Sequence, residues 1–187
     1  MLGALAAVVA SPAAAQTEKG AKYLGLGLGN LSYKRQSKDN YTLSVSLFPS
    51  AGVFVIDNLL LGVNAELGRE QWKSSDAFRT FSYRATRYGA TPFARYYFVR
   101  GERHKVFGQL SAGYTWERID REPYPQDRKF RYFTAGAAVG YNYFLTPTAA
   151  LEATAGYTHR DNGPAPATNG LDIRAGFAIF LPSGAGN

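Results

Sequence analysis

The composition of this 187-residue chain narrows what it can be. It has 21 Lys and Arg against 14 Asp and Glu, a formal net charge of +7 at pH 7, and no cysteine, which excludes a disulfide framework, a lipid-anchoring cysteine and thiol chemistry. The slightly polar mean hydropathy of −0.24 excludes a helical membrane protein, but it does not exclude a barrel whose apolar and polar residues alternate.

The first 15 residues have the layout of a secretory signal peptide. An apolar run over residues 2–10 is followed by Ser11-Pro12 and by three alanines before Gln16. The run is well below the roughly 20 residues that a transmembrane helix needs, so we expect removal and not retention as an anchor. The alternative is an apolar helix packed in a soluble core, which the Ser-Pro break disfavours.

Eight later stretches place an apolar residue at every second position, which predicts β-strands and not helices. In chain order these apolar sets are Leu24, Leu26 and Leu28; Tyr41, Leu43, Val45 and Leu47, continuing past Pro49 through Val53 and Val55; Leu59, Leu61, Val63, Ala65 and Leu67; Tyr88, Ala90, Ala94, Tyr96 and Phe98; Val106, Leu110, Ala112, Tyr114 and Trp116; Phe133, Ala135, Ala137, Val139, Tyr141 and Tyr143; Leu151, Ala153, Ala155 and Tyr157; and Leu171, Ile173, Ala175, Phe177, Ile179 and Leu181.

The links between these stretches alternate in length. Short links lie at Asp57-Asn58, at residues 99–104 and at residues 145–147, whereas residues 33–40, 69–79, 118–128 and 160–169 are predicted to be long polar loops. This is typical of an up-and-down barrel with short turns at the end that holds both termini. The expected organisation is a signal peptide (1–15), a short lead (16–21), a β-barrel domain (22–181) and a C-terminal tail (182–187).

The chemistry of the two strand faces separates a membrane barrel from a soluble one. A lipocalin-like ligand carrier would need an apolar interior and a polar exterior. Here the face opposite the apolar sets carries Gly, Ser, Thr, Asn, Glu and Arg, which suit a narrow interior, while lipid would cover the apolar face. Aromatic residues near both ends of the strands also suggest two interfacial girdles. The sequence therefore predicts an all-β, eight-stranded antiparallel transmembrane barrel.

Two segments carry a family resemblance. Residues 49–62 (PSAGVFVIDNLLLG) and 91–98 (TPFARYYF) resemble the second hairpin and fourth strand of the small outer-membrane β-barrel proteins of Gram-negative bacteria, the OmpA/OmpX-like eight-stranded barrels. The resemblance extends over the rest of the mature chain, and it implies location in the cell outer membrane and insertion by the barrel-assembly machinery. It implies no particular activity, and the last strand is followed by residues 182–187 in place of a terminal aromatic.

The inward face predicts a filled, non-conducting interior, because a barrel of eight strands has room for side chains and little else. Charges of both signs in so narrow a space must pair or stay hydrated. The predicted polar network of the lumen is Glu66, Arg95, Glu152, Asp172 and Arg174. The rings predicted to plug its periplasmic end are Phe54, Phe93, Tyr97, Phe107, Phe144 and Phe180.

Basic residues gather in the predicted loops, where a positive rim would suit the phosphates of lipopolysaccharide. The candidate contacts are Lys34, Arg35, Lys73, Arg121, Arg128 and Lys129. Interspersed acidic residues keep open the alternative of an ordinary solvated surface. Nucleic acid is not an expected partner of an exported chain whose charges are spread over four loops. We expect a monomer.

Catalytic signals are sparse. His159, Thr158 and Asp161 together could suggest a lipid-modifying enzyme at the barrel rim, but Thr158 and His159 are predicted to point to opposite faces of a strand. No metal-ligand spacing or cofactor motif appears, and His104 is expected in a turn. The sequence predicts a structural or surface-interaction barrel without cofactors that is not an enzyme, with the rim enzyme and the soluble carrier as alternatives.

Overall fold

The computed structural model describes residues 16–35, 41–75, 80–122, 128–162 and 165–183, which form a closed antiparallel barrel. Every strand pairs with its neighbours in sequence, and β8 closes the barrel on β1 between Lys22–Leu181 and Leu28–Ala175. The strands are β1 (Lys22–Arg35), β2 (Tyr41–Ile56), β3 (Leu59–Ser75), β4 (Thr80–Arg100), β5 (His104–Glu122), β6 (Arg128–Phe144), β7 (Ala149–Asn162) and β8 (Ala165–Leu181). The predicted fold class is confirmed.

The described residues contain no helix long and apolar enough to cross a membrane. The predicted signal peptide and the last four residues of the predicted tail lie outside the described residues.

The predicted long loops are wrong in extent, because the strands continue through them. β3 and β4 pair as far as Ser75–Thr80, and β7 and β8 pair as far as Asn162–Ala165. An antiparallel ladder needs only backbone hydrogen bonds, so polar sequence can prolong it beyond the apolar belt. Residues 36–40, 76–79, 123–127 and 163–164 lie outside the described residues.

The end of the barrel with the short turns is tied together by the lead at residues 16–21. Asn58 occupies the left-handed region with φ 66°, which a two-residue hairpin turn favours. Its backbone N–H donates to the Thr17 carbonyl at 2.7 Å, and nearby the Gly20 N–H donates to the Phe54 carbonyl at 2.8 Å. The Gln16 amide donates to the Pro147 carbonyl at 2.8 Å. The lead therefore links two different turns across this end.

The outer wall of the barrel is an apolar belt. Leu110 is 66% exposed, Ile173 81% and Leu171 87%. Soluble monomeric proteins rarely expose so many large apolar side chains in one continuous surface. On β4 the belt runs between outward-facing Tyr88 and Phe98, and ten residues of a tilted strand rise about 25 Å, the height of the apolar band in transmembrane barrels. Apolar side chains cover the outside, as the alternation predicted.

Aromatic residues mark the two edges of this belt. At the edge away from the turns, Tyr88 stacks on Trp116 with ring centroids 5.7 Å apart, and Tyr114 meets Phe133 edge-on at 5.6 Å. Near the turns, the His104 ring lies 5.3 Å from that of Tyr143. Rings with a polar atom suit the boundary between hydrocarbon and water, so the belt has the two girdles of a membrane-spanning barrel.

Candidate functional site

The interior nearest the short turns is packed with aromatic rings. All six rings predicted for this position are buried. Phe144–Phe180 centroids are 4.9 Å apart, Tyr97–Phe107 5.2 Å and Phe54–Tyr97 5.7 Å, while Phe93 meets the ring of Tyr23 at 6.5 Å. Tyr23, Leu60, Ala21, Ala150 and Ala178 complete the same buried cluster. We call this cluster of six rings and Tyr23 the aromatic layer.

Glycines on the neighbouring strands make room for two of these rings. Phe107 and Gly140 are direct cross-strand partners, as are Phe93 and Gly62. A Cβ added at Gly140 would overlap the Phe107 ring, and one at Gly62 would lie 2.6 Å from the Phe93 ring. Each ring thus lies beside a glycine on the neighbouring strand and covers the backbone that a side chain would otherwise cover, as aromatic residues do for glycines in designed and natural sheets.

A buried ion pair lies directly against the aromatic layer. The Arg95 guanidinium, whose residue is 2% exposed, donates two hydrogen bonds to the Glu152 carboxylate at 2.8 and 3.0 Å. Its Nε donates to the Gln109 amide oxygen at 2.9 Å. Bidentate geometry and full hydrogen bonding are what a buried arginine–carboxylate pair needs to offset its desolvation.

Neutral side chains provide the remaining hydrogen bonds of this ion pair. The Tyr23 hydroxyl lies 3.1 Å from both Glu152 oxygens, and the Asn142 amide donates to the same carboxylate at 3.0 Å. The Arg95 guanidinium carbon lies 3.9 Å from the centre of the Phe107 ring. The pair therefore joins β4, β5, β6, β7 and β1 across the lumen.

A second charged group lies on the inner face further from the turns. Arg87 donates from Nε to Glu117 at 2.7 Å and from Nη2 to Glu70 at 3.1 Å, while the Tyr132 hydroxyl donates to Glu117 at 3.0 Å. Arg87 and Glu117 were not among the side chains predicted for the lumen. Both point into the barrel because they share the parity of the inward Thr115 and Gly89.

A third group surrounds a polar cavity of about 210 Å³ in the middle of the lumen. Asp172 accepts from Arg174 at 2.8 Å and from Thr158 at 2.9 Å, and Glu66, which also lines the cavity, accepts from Thr115 at 3.1 Å. Three buried polar atoms on its wall have no hydrogen-bond partner: Thr134 Oγ1, Arg160 Nε and Arg174 Nε. This volume suits a few water molecules.

The five residues predicted as one polar network thus all face the interior but form separate groups. Arg95 pairs with Glu152, Arg174 pairs with Asp172, and Glu66 bonds to Thr115. Sequence reasoning missed the neutral partners Tyr23, Gln109 and Asn142. Parity alone could have placed all three inward, since each alternates with a lipid-facing neighbour.

The six basic residues predicted as loop contacts lie in strands, in the segments beyond the girdle. Lys34 and Arg35 are in β1, Lys73 in β3, Arg121 in β5, and Arg128 and Lys129 in β6. The ladders assign them to different faces of the wall: Arg121 pairs with inward Tyr83 and Arg128 with inward Ile119, while Lys129 pairs with outward Arg118. Their assignment to loops is corrected, since the hairpins extend past them.

The two histidines do not assemble a catalytic group. His159 is exposed on the outer face of β7 with its Nδ1 at 2.7 Å from the Asn169 amide oxygen, whereas Thr158 points inward to Asp172. His104 contacts the Tyr141 hydroxyl at the other end. Among the side chains that the structure describes, no group of three or more His, Asp or Glu could hold a metal ion.

The comparisons with known proteins agree on one architecture. The family model for the outer membrane protein beta-barrel domain matches residues 1–178. Outer membrane protein OprG from Pseudomonas aeruginosa has a similar structure, with a TM-score of 0.51 at 12% identity over 89% of this chain and 99% of that one. Neisserial surface protein A gives 0.50 at 19% identity over 86% and 96%, and the attachment invasion locus protein of Yersinia pestis gives 0.50 at 13% over 87% and 98%. No curated protein sequence matches the chain.

Proposed function

Because the chain belongs to the outer membrane β-barrel domain family and resides in the cell outer membrane, we propose that it is a non-conducting barrel with a structural or surface-interaction role. The observation that carries this proposal is the aromatic layer with the Arg95–Glu152 pair packed against it. Seven rings linked by pairwise contacts and a hydrogen-bonded ion pair lie inside an eight-stranded barrel, whose interior is only wide enough for side chains.

The segments beyond the girdle support the surface role. β4 extends eight residues past Tyr88 to Thr80, which raises this hairpin about 20 Å above the apolar belt. Exposed Trp72 and Phe81 lie on this β3–β4 hairpin, and exposed Phe130 lies on the β5–β6 hairpin. Aromatic side chains together with arginine are typical of contact surfaces. We propose outer-membrane lipid, including lipopolysaccharide, as the partner of the basic residues there, with the barrel acting as a monomer.

The proposal has two further parts. The barrel is not an enzyme, because the one histidine beside a hydroxyl residue has that residue on the opposite face of β7. Nucleic acid is not a partner, because an outer-membrane wall offers its cations to lipid and to the cell exterior. Insertion would depend on the barrel-assembly machinery.

Ion conductance in planar bilayers tests the closed interior. We expect the unaltered protein to add no stepwise conductance to the bilayer. The double variant Tyr97→Ala/Phe180→Ala removes two rings that both contact Phe54, and it should produce a measurable ion leak. The matched control Tyr96→Ala/Phe98→Ala removes two rings from the outer wall and should stay silent. Stable channels formed by the unaltered protein would contradict the proposal.

A further inference from the structure

A row of cations crosses the outer wall of four neighbouring strands. Lys129 on β6 pairs with Arg118 on β5, Arg118 pairs with Thr86 on β4, and Thr86 pairs with Arg69 on β3. Directly paired residues of an antiparallel sheet point to the same face with Cβ atoms about 5 Å apart. We call Lys129, Arg118 and Arg69 the basic row, and all three are exposed.

The basic row lies immediately above the girdle. The next row toward the membrane, two residues further along each strand, joins Arg131, Trp116, Tyr88 and Leu67. The Arg131 guanidinium carbon lies 5.1 Å from the centre of the Tyr114 ring, so this cation is held at the girdle itself. In a bilayer, the level just outside the aromatic girdle is where lipid headgroups lie.

The cations are concentrated on one side of the barrel. At the same end of the barrel the outer faces of β7 and β8 carry His159, Asp161 and Asn169, and none of their described outward side chains is Lys or Arg. On β3–β6 the acidic residue beside the basic row is Asp120, which contacts Arg118 at 3.5 Å and is the cross-strand partner of Arg84. Among the described outward side chains of β3–β8 at this end, the cations therefore lie on β3–β6.

From this arrangement we infer that the outer wall of β3–β6 is a binding site for the phosphates of lipid A, the membrane anchor of lipopolysaccharide. The inference rests on the surface role proposed above and locates its partner on the lipid-facing wall and not at the mouth of the barrel. The row spans three strand spacings, about 14 Å, which exceeds one phosphate. A diphosphorylated disaccharide offers two phosphates to such a row, whereas an ordinary phospholipid offers one.

Charge-matched variants test the site. The triple variant Arg69→Gln, Arg118→Gln and Lys129→Gln removes the basic row, and the control variant Lys19→Gln, Lys22→Gln and Arg103→Gln removes three exposed cations from the end of the barrel with the short turns. Lipid retention by the full-length mature barrel is measured by native mass spectrometry with diphosphorylated lipid A, with lipid A stripped of both phosphates, and with phosphatidylglycerol. Unboiled gel mobility verifies that each variant is folded.

We expect the row variant to lose roughly 100-fold in affinity for diphosphorylated lipid A, since each cation near an anionic headgroup contributes roughly fivefold. The control variant should stay within about threefold. The unaltered protein should bind dephosphorylated lipid A and phosphatidylglycerol more weakly than diphosphorylated lipid A. Equal binding of phosphatidylglycerol, or of the dephosphorylated lipid, overturns the assignment to lipid A.

The variants also separate this inference from the proposed function. Loss of lipid A binding in the control variant alone overturns the location at the basic row, because it would place the lipid site at the opposite end of the barrel. Binding that neither variant changes overturns the location, and an unaltered protein that retains no lipid A overturns the proposed lipid partner. The conductance measurement does not involve these residues, so the closed interior is tested independently.

Discussion

Replacing Arg95 by methionine should lower the free energy of unfolding by about 3–5 kcal/mol, the usual cost of removing one partner of a buried ion pair. The variant Arg95→Met leaves the Glu152 carboxylate against the aromatic layer with hydrogen bonds from Tyr23 and Asn142 but without its cation. It also removes the guanidinium that packs 3.9 Å from the centre of the Phe107 ring. Urea titration of the barrel in lipid vesicles, followed by tryptophan fluorescence, measures the change.

Two companion variants show whether the unpaired Glu152 charge causes the loss of stability. Arg95→Met combined with Glu152→Gln should recover at least half of the lost stability, because no unpaired charge then remains. Arg174→Met removes a cation whose side chain is 29% exposed beside Asp172, and it should cost about 1 kcal/mol or less. A double variant as unstable as Arg95→Met, or equal losses at Arg95 and Arg174, would contradict the account.

An arginine in the middle of the apolar belt should also be strongly destabilising. Leu110 lies on β5 between the two girdles and points outward, so Leu110→Arg places a charge at the depth of the lipid hydrocarbon. The expected loss is about 2–4 kcal/mol in the free energy of unfolding. The cost arises from desolvation, so it should be nearly absent where the wall meets headgroups.

Thr86→Arg is the matched control for this depth dependence. Thr86 is exposed on the same outer wall but lies within the basic row, and a charge near the interface costs only about 0–1 kcal/mol. The same vesicle titration compares the two variants. Similar losses at both positions would mean that hydrocarbon does not surround Leu110.

Much of the barrel could be predicted from the sequence because its main signal is local. Alternation along each strand assigns faces without knowledge of the neighbours, and Leu61, Leu110 and Ile173 are all exposed on the outer wall as it requires. The count of eight strands and the position of the Asp57-Asn58 turn come from the same short-range pattern. The limits of the hairpins did not follow, because beyond the belt polar residues occur on both faces.

The pairing inside the barrel could not be predicted, because it depends on how the strands are staggered around the closed sheet. Arg95 and its cross-strand partner Gln109 are neighbours in the ladder, but Glu152 reaches Arg95 across the lumen from β7. Alternation says that each of these points inward and says nothing about height. The separation of Arg174 and Asp172 from the Arg95 pair is a consequence of stagger, which only the ladder registers define.

The apolar face of the strands must meet lipid if the barrel spans the outer membrane. A nitroxide scan tests it most directly, since the chain has no cysteine and each introduced one is labelled alone. The scan covers residues 109–114 of β5 in lipid bilayers and measures how often each nitroxide collides with dissolved oxygen, which concentrates in the hydrocarbon. The collision rate should be high at Leu110→Cys, Ala112→Cys and Tyr114→Cys and low at Gln109→Cys, Ser111→Cys and Gly113→Cys. High collision rates at residues 109, 111 and 113 with low rates at residues 110, 112 and 114 would contradict the outward orientation of the apolar face.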